Sequence, residues 1–176
     1  MKRIFTAILL VLAMGSAISC GAAYHQTKEE KAQEAALLAA DIDKAVKSKV
    51  FAIDITRIFP MAYPSRETMN EYQIQFNGNK VSCRLPYMGN SHTASFGDDD
   101  ISIVLDRQQV NYTDDFSDAG KGEYRFFFQA VSGHNSWKFT VQIYDNGIAY
   151  IGCDCNNKDN IRYSGEVNFK INNDKE

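Results

Sequence analysis

The stretch Glu71–Leu85, "EYQIQFNGNKVSCRL", alternates apolar and polar residues on both sides of an Asn-Gly pair. Tyr72, Ile74 and Phe76 share one face at period two, and Val81, Cys83 and Leu85 do so beyond the turn. Successive strand side chains point to opposite faces, so this spacing predicts two half-buried strands. Asn77-Gly78 favours the positive φ that a tight hairpin needs at its central positions. A second stretch, "WKFTVQIYDNGIAYIGC" from Trp137 to Cys153, repeats the pattern. Trp137, Phe139, Val141 and Ile143 form its inward face, and Asn146-Gly147 makes its turn.

Outward from these hairpins, "VFAIDITRIF" puts Phe51, Ile53 and Ile55 on one face. Pro60 and Pro64 then impose an irregular connection, since proline cannot donate to a ladder. With "DISIVLD", "QQVNYTDD", "GEYRFFFQAV" and "IRYSGEVNFKI", about nine strands are expected, with turn signals at short intervals. No helical pattern separates them, which excludes a parallel α/β sheet. The expected fold class is mainly β: an antiparallel meander forming a barrel or a two-sheet sandwich, preceded by one N-terminal helix. That helix is residues 28–49, free of Gly and Pro, with Ala35, Leu38, Ala39, Ile42, Ala45 and Val46 on one stripe. Its opening "KEE", Lys28–Glu30, has two readings. One is a first turn whose carboxylates favour the helix dipole; the other is an acidic signal of the kind that routes some lipoproteins to the cell surface.

The chain begins "MKRIFTAILLVLAMGSAISC", a basic pair, an apolar run and small residues leading to Cys20. That order predicts a secretory signal over residues 1–19, too short in its apolar part for a comfortable membrane span. "AISC" resembles a lipobox, so Cys20 is the expected lipidation site and the membrane a partner through a lipid anchor. The protein is then exported and anchored in the cell envelope, with the outer membrane as the expected home. Cleavage beside Ser19 or Ala22, giving a soluble periplasmic product, is the alternative. The remaining organisation is a tether over 20–27, a single β-rich domain over 50–171 and a polar tail over 172–176. Removing Lys2 and Arg3 leaves 17 of the 19 basic residues against 22 acidic ones, a net charge of −5. With no basic stripe, nucleic acid is not an expected partner.

Lipidation of Cys20 leaves Cys83, Cys153 and Cys155. Two arrangements fit: a disulfide from Cys83 to Cys153 or Cys155, or three semi-buried free thiols. No histidine lies near the pair, so no metal site and no cofactor are expected. "GDDD" ends in Asp98, Asp99 and Asp100, whose adjacent carboxylates point different ways on an extended chain and lack the EF-hand spacing. A solvated acidic turn guarding a sheet edge is the simpler reading.

Several pieces together resemble an exported Gram-negative lipoprotein family known as domain-of-unknown-function family 4251. They are "VFAIDITRIFPM", "EYQIQFNGNKV", "RLPYMG" followed by "ASFG", Asp145-Asn146-Gly147 after an aromatic strand, and "IRYSGEV". Their order and spacing cover about Val50 to Val167. The resemblance implies envelope localisation, a lipid anchor and a β-rich domain, and it implies no known reaction. "GDDD" and the cysteine pair depart from the family pattern.

No catalytic constellation appears: His25, His92 and His134 are scattered, and G-x-S-x-G, H-E-x-x-H and phosphate-loop motifs are absent. An enzyme is therefore not expected. Aromatic residues make up 12% of the chain, enough to ask whether all fit inside. Tyr63, Tyr87, Phe96 and Tyr112 are the candidates for lining the open end of a barrel, with core and edge packing as their alternative role. Phe127 faces away from Tyr124, Phe126 and Phe128, so it is either buried by a second layer or part of an exposed patch. Two functions are expected in turn. The first is a non-catalytic module binding a small apolar ligand, glycan or peptide. The second is an interaction lipoprotein docking an envelope protein complex through a sheet edge or the N-terminal helix.

Overall fold

A computed structural model describes residues 27–68, 72–90 and 102–169. The expected signal and tether with Cys20 and His25, the stretch with His92, Phe96 and Asp98–Asp100, and the expected polar tail lie outside the described residues. One helix, α1 (Lys28–Ser48), precedes ten strands. These are β1 (Val50–Pro60), β2 (Arg66–Glu67), β3 (Gln73–Asn77), β4 (Lys80–Pro86), β5 (Ser102–Gln109), β6 (Thr113–Asp115), β7 (Glu123–Ser132), β8 (Asn135–Tyr144), β9 (Ile148–Cys155) and β10 (Ile161–Asn168). All pair antiparallel in one sheet, ordered β5-β4-β3-β1-β10-β9-β8-β7-β6, with β2 on β1 alone.

Two meanders, one on each side, are joined where β1 pairs with β10. That pairing of the first long strand with the last makes a single continuous sheet, so the sandwich alternative does not hold. The sheet curls into a half-barrel. Its two flanks meet without a ladder: the Val104 N–H donates to Ser132 Oγ at 2.9 Å, and the Val131 N–H to Gln108 Oε1 at 3.2 Å. Side chains thus tie β5 to β7 where main-chain pairing is lacking.

The concave face is filled. Phe51 and Phe76 stack at 4.8 Å between ring centroids, Phe76 meets Phe126 edge-on at 5.5 Å, and Phe128 stacks on Phe139 at 4.5 Å. Each fully buried ring of this kind stabilises the fold by roughly 1.5–3 kcal/mol over leaving it exposed. The hairpin turns differ slightly from the expected frame. Asn77 still pairs with Lys80, so the central residues are Gly78 and Asn79, with positive φ at Gly78 only, as in a type II′ turn. The second hairpin uses a three-residue loop, Asp145–Gly147, with Gly147 left-handed at φ 86°.

Two compact units divide the chain between Gln33 and Glu34, within α1. In the first, Thr27 and Glu30 form a capping box: the Glu30 N–H donates to Thr27 Oγ1, and the Thr27 N–H donates to Glu30 Oε2. "KEE" therefore contains a helix-starting residue. In the second, Ile42, Ala45 and Val46 are the buried positions of α1. Tyr124 donates its hydroxyl proton to Asp43 Oδ1 at 2.9 Å, and Lys47 bonds the same carboxylate. Lys47 first and Tyr124 second hold the Asp43 carboxyl below its ordinary range.

The helix ends at Lys49, which is left-handed at φ 54°, a conformation that costs an L-residue roughly 1–2 kcal/mol. Its carbonyl accepts the Gly78 N–H, and its buried ammonium donates to Val46 O and Asp114 Oδ1. The rings of Tyr112, Phe116 and Phe126 surround that ammonium at 5.3, 4.9 and 4.5 Å. Cation–π attraction and one counter-ion offset both the strain and the desolvation.

In the middle of the sheet the register of β1 against β10 shifts between Ile55 and Arg57. This bulge places two residues of β1 where one would stand and reverses the alternation. Ile58 consequently turns inward and is buried, while Phe59 stands on the outer face. Gly165, paired with Ile55, makes the approach possible: a Cβ there would lie 2.1 Å from the Asp54 carbonyl oxygen. Gly165→Ala should force β1 and β10 apart and destabilise the domain by about 2 kcal/mol or more, read from urea unfolding. An unchanged unfolding midpoint would show that the two strands separate there at no cost.

Candidate functional site

Stacked rings occupy the concave face, and the bulge delivers Phe59 to the outer one. Cross-strand registers align two rows there. The first runs Phe127, Thr140, Gly152, Arg162, Phe59 from β7 to β1. The second runs Arg125, Gln142, Tyr150, Ser164, Arg57 over the same strands. Along them lies an open groove of about 680 Å³, lined by Phe59, Thr140, Gln142, Tyr144, Tyr150, Gly152, Asp154 and Arg162 together with Ile151 and Tyr163.

The floor is low because Gly152 carries no side chain between Thr140 and Arg162. The walls are aromatic. Tyr150 is 45% exposed and Phe59 36% exposed, and Tyr144 meets Tyr150 edge-on at 6.2 Å. Gln142 is held in place, its Nε2 donating to Glu123 Oε1 at 2.7 Å and to the Tyr144 hydroxyl at 2.8 Å. Among the described residues, Arg162 and Asp154 make no side-chain hydrogen bond or ion pair, and both are exposed. Phe127 is half-buried on this same face, with Lys138 Nζ 5.8 Å from its ring centroid. It belongs to the outer surface and not to a second buried layer.

The residues singled out from sequence are placed apart from one another. Tyr87 is buried at the end of β4, edge-on to Trp137 at 5.4 Å and 5.3 Å from the Lys158 ammonium. Its hydroxyl donates to the carbonyls of Asp159 at 3.0 Å and Asn90 at 3.3 Å. Burial first, then the Asp159 and Cys155 charges, push that hydroxyl up to about 12. Gly89 is required beside it, since a Cβ would lie 2.4 Å from the Tyr87 oxygen. Tyr163 donates to Pro86 O at 2.9 Å, and the Asp159 N–H to Asn90 O at 3.0 Å. "RLPYMG" is thus a corner that fastens the end of β4 to the β9–β10 connection.

Tyr112 packs against Phe76, Phe126 and Phe128 beside Lys49, and no ring contact joins it to Tyr87. Its hydroxyl oxygen is buried without a hydrogen-bond partner among the described residues, and burial raises its pKa. Tyr63 stands 50% exposed in the connection after β1, and Phe96 lies outside the described residues.

In the structure Cys83, Cys153 and Cys155 are free cysteines. Cys83 sits on β4 with its Sγ directed at Ile103 O at 3.8 Å, and Cys153 and Cys155 are on β9, Cys153 near enough to feel the Cys83 charge. Burial pushes the Cys83 thiol up to about 12 and the Cys153 thiol well above its ordinary value. Both are held as thiols, which are poor nucleophiles. His134 lies in the β7–β8 turn, exposed. No group of three or more potential metal ligands occurs among the described residues.

Comparison with protein-family models matches residues 33–167 to "Domain of unknown function (DUF4251)". The chain belongs to the DUF4251 family. A crystal structure of a DUF4251 family protein from Bacteroides eggerthii DSM 20697 superposes with a TM-score of 0.51 at 13% identity, covering 75% of this chain and 87% of that one. At that identity the likeness carries the fold alone. A comparison with curated proteins finds no match. No helix among the described residues is long and apolar enough to cross a membrane.

The unpartnered Tyr112 hydroxyl gives this DUF4251 domain a direct packing test. Tyr112→Phe removes a buried donor that has no acceptor, so stability should be unchanged or rise by up to about 1 kcal/mol. A loss of that size on thermal or urea unfolding would mean that the hydroxyl has a partner after all.

Proposed function

We propose that this DUF4251 protein is a cell-envelope lipoprotein whose β domain is a non-catalytic binding module, taking its ligand in the outer-face groove. The observation that carries the binding reading is the groove itself. Exposed Tyr150 and Phe59 flank a glycine floor, and two uncommitted charged side chains, Arg162 and Asp154, stand beside them. Exposed aromatic surface combined with a few fixed polar groups is what ligand sites are made of. The rings stacked on the concave face favour the outer groove over the half-barrel's interior as the ligand's place. The lipoprotein reading rests on the leader and on Cys20, as the order of basic, apolar and small residues indicates.

A second reading, docking of an envelope protein through the N-terminal helix, draws on one feature. Leu37 is 62% exposed on α1.

Two measurements test the proposal. Cys20→Ser should move the protein from the detergent phase to the aqueous phase of a phase-partition assay. Unchanged partitioning would remove the lipid anchor. For the groove, envelope extracts separated into glycan, peptide and lipid fractions are titrated onto wild-type protein and the Tyr150→Ala/Arg162→Ala variant. At least one fraction should bind the wild type and lose about tenfold or more in affinity in the variant, with equal melting temperatures. Equal affinities for every fraction would mean that ligands, if bound, sit elsewhere.

A further inference from the structure

The groove's chemistry narrows what it accepts, and this step rests on the outer-face reading above. Its floor is the face of four strands whose main-chain groups are committed to ladders, β8 with β9, β9 with β10 and β10 with β1. An extended peptide gains affinity chiefly by adding to a free sheet edge. Here the floor offers it no backbone partner. An acyl chain fares no better, since the groove is open and carries Arg162, Asp154 and Gln142 along its length. Burying those polar groups under hydrocarbon would cost more than the two exposed rings return.

A sugar ring meets both halves of the lining. Its C–H face is apolar and flat enough to lie on an aromatic ring, while its hydroxyl rim both donates and accepts. Tyr150 and Phe59 supply the aromatic faces. Arg162 supplies a fork of donors, Asp154 a pair of acceptor oxygens, and Gln142 an amide whose orientation is already fixed by Glu123 and Tyr144. The guanidinium and the carboxylate can each bond adjacent hydroxyls two at a time, which gives orientation as well as energy, while Gln142, both of its N–H groups committed, offers its Oε1 as an acceptor. Gly152 leaves the floor low enough for a ring to settle between Thr140 and Arg162.

Charge completes the argument. Among the described residues the groove holds one free cation and one free anion, which balance, so this surface does not select a charged chain. We infer that the outer-face groove binds a neutral glycan, stacked on Tyr150 and Phe59 and hydrogen-bonded by Arg162, Asp154 and Gln142.

The test uses the full chain in a detergent without a sugar headgroup, so that micelles do not compete. Maltohexaose, cellohexaose and xylohexaose are titrated by calorimetry beside polygalacturonate and a mixed hexapeptide library. At least one neutral hexaose should bind, and Tyr150→Ala and Arg162→Ala should each weaken it about tenfold, melting unchanged. Absence of binding by all three neutral hexaoses overturns the glycan assignment, as does binding that survives both substitutions. Polygalacturonate or peptide binding that is lost in Tyr150→Ala, without hexaose binding, overturns the neutral glycan but leaves the groove as a binding site. No probe sensitive to either substitution overturns both.

Discussion

The register shift between Ile55 and Arg57 is the constraint on which both faces of the sheet depend. β1 sits between the two meanders, paired with β3 on one side and β10 on the other. Any change in its phase is therefore felt on both flanks. Strict alternation from Phe51 would send position 57 inward and leave a guanidinium facing stacked rings. The bulge avoids this by turning Arg57 out to Glu67, with which it pairs at 2.9 Å, and Ile58 in. The same half-turn of phase leaves Phe59 on the outer face beside Arg162. Core integrity and groove composition are consequences of one local irregularity, permitted by one missing Cβ at Gly165.

Each end of the half-barrel is closed by a polar arrangement in an otherwise apolar setting. At the α1 end, a left-handed lysine gives its carbonyl to the β3–β4 turn and its ammonium to Asp114 and three rings. At the other, the Tyr87 and Tyr163 hydroxyls donate to main-chain carbonyls of Asp159 and Pro86. Both devices satisfy backbone or charged groups that would otherwise be buried unpaired, at an expense of roughly 1–3 kcal/mol each. The aromatic residues that composition flags as surplus are used to surround a cation and to stack along the sheet axis.

Local periodicity carried most of the fold. Both hairpins, the inward faces of β3, β4, β8 and β9, and the outward Phe127 follow from period-two spacing alone. Thr27-x-x-Glu30 is a capping box legible in the sequence, overlapping the charges of "KEE". What periodicity does not contain is long range. Nothing near Val50 or Ile161 announces that those strands pair, and Thr56-Arg57 carries no residue that marks a bulge. The choice between barrel and sandwich turned on that pairing. The groove was illegible for the same reason, since it assembles Phe59, Tyr150, Gly152 and Arg162 from three strands in registers that only the assembled sheet defines. Tyr87 and Tyr112 drew notice as aromatics next to turns, but a turn neighbour can face the core as readily as solvent, and these two do.

The segments that resemble the family illustrate how one strand serves two purposes. In "IRYSGEV", Ile161, Tyr163 and Gly165 face inward and are buried, contributing core, a corner hydrogen bond and the close approach of β1. Arg162, between them, faces outward and has no structural partner among the described residues. "VFAIDITRIFPM" divides likewise, with Ile53, Ile55 and Ile58 inside and Phe59 outside. A fold of this kind places demands on alternate positions only, and the positions between are free to be chosen by whatever the outer face meets. An exposed phenyl ring costs solubility and an unpaired guanidinium adds nothing to stability, so their presence side by side in the groove is not something the architecture requires. Their presence marks the convex surface as the face shaped by something other than the fold.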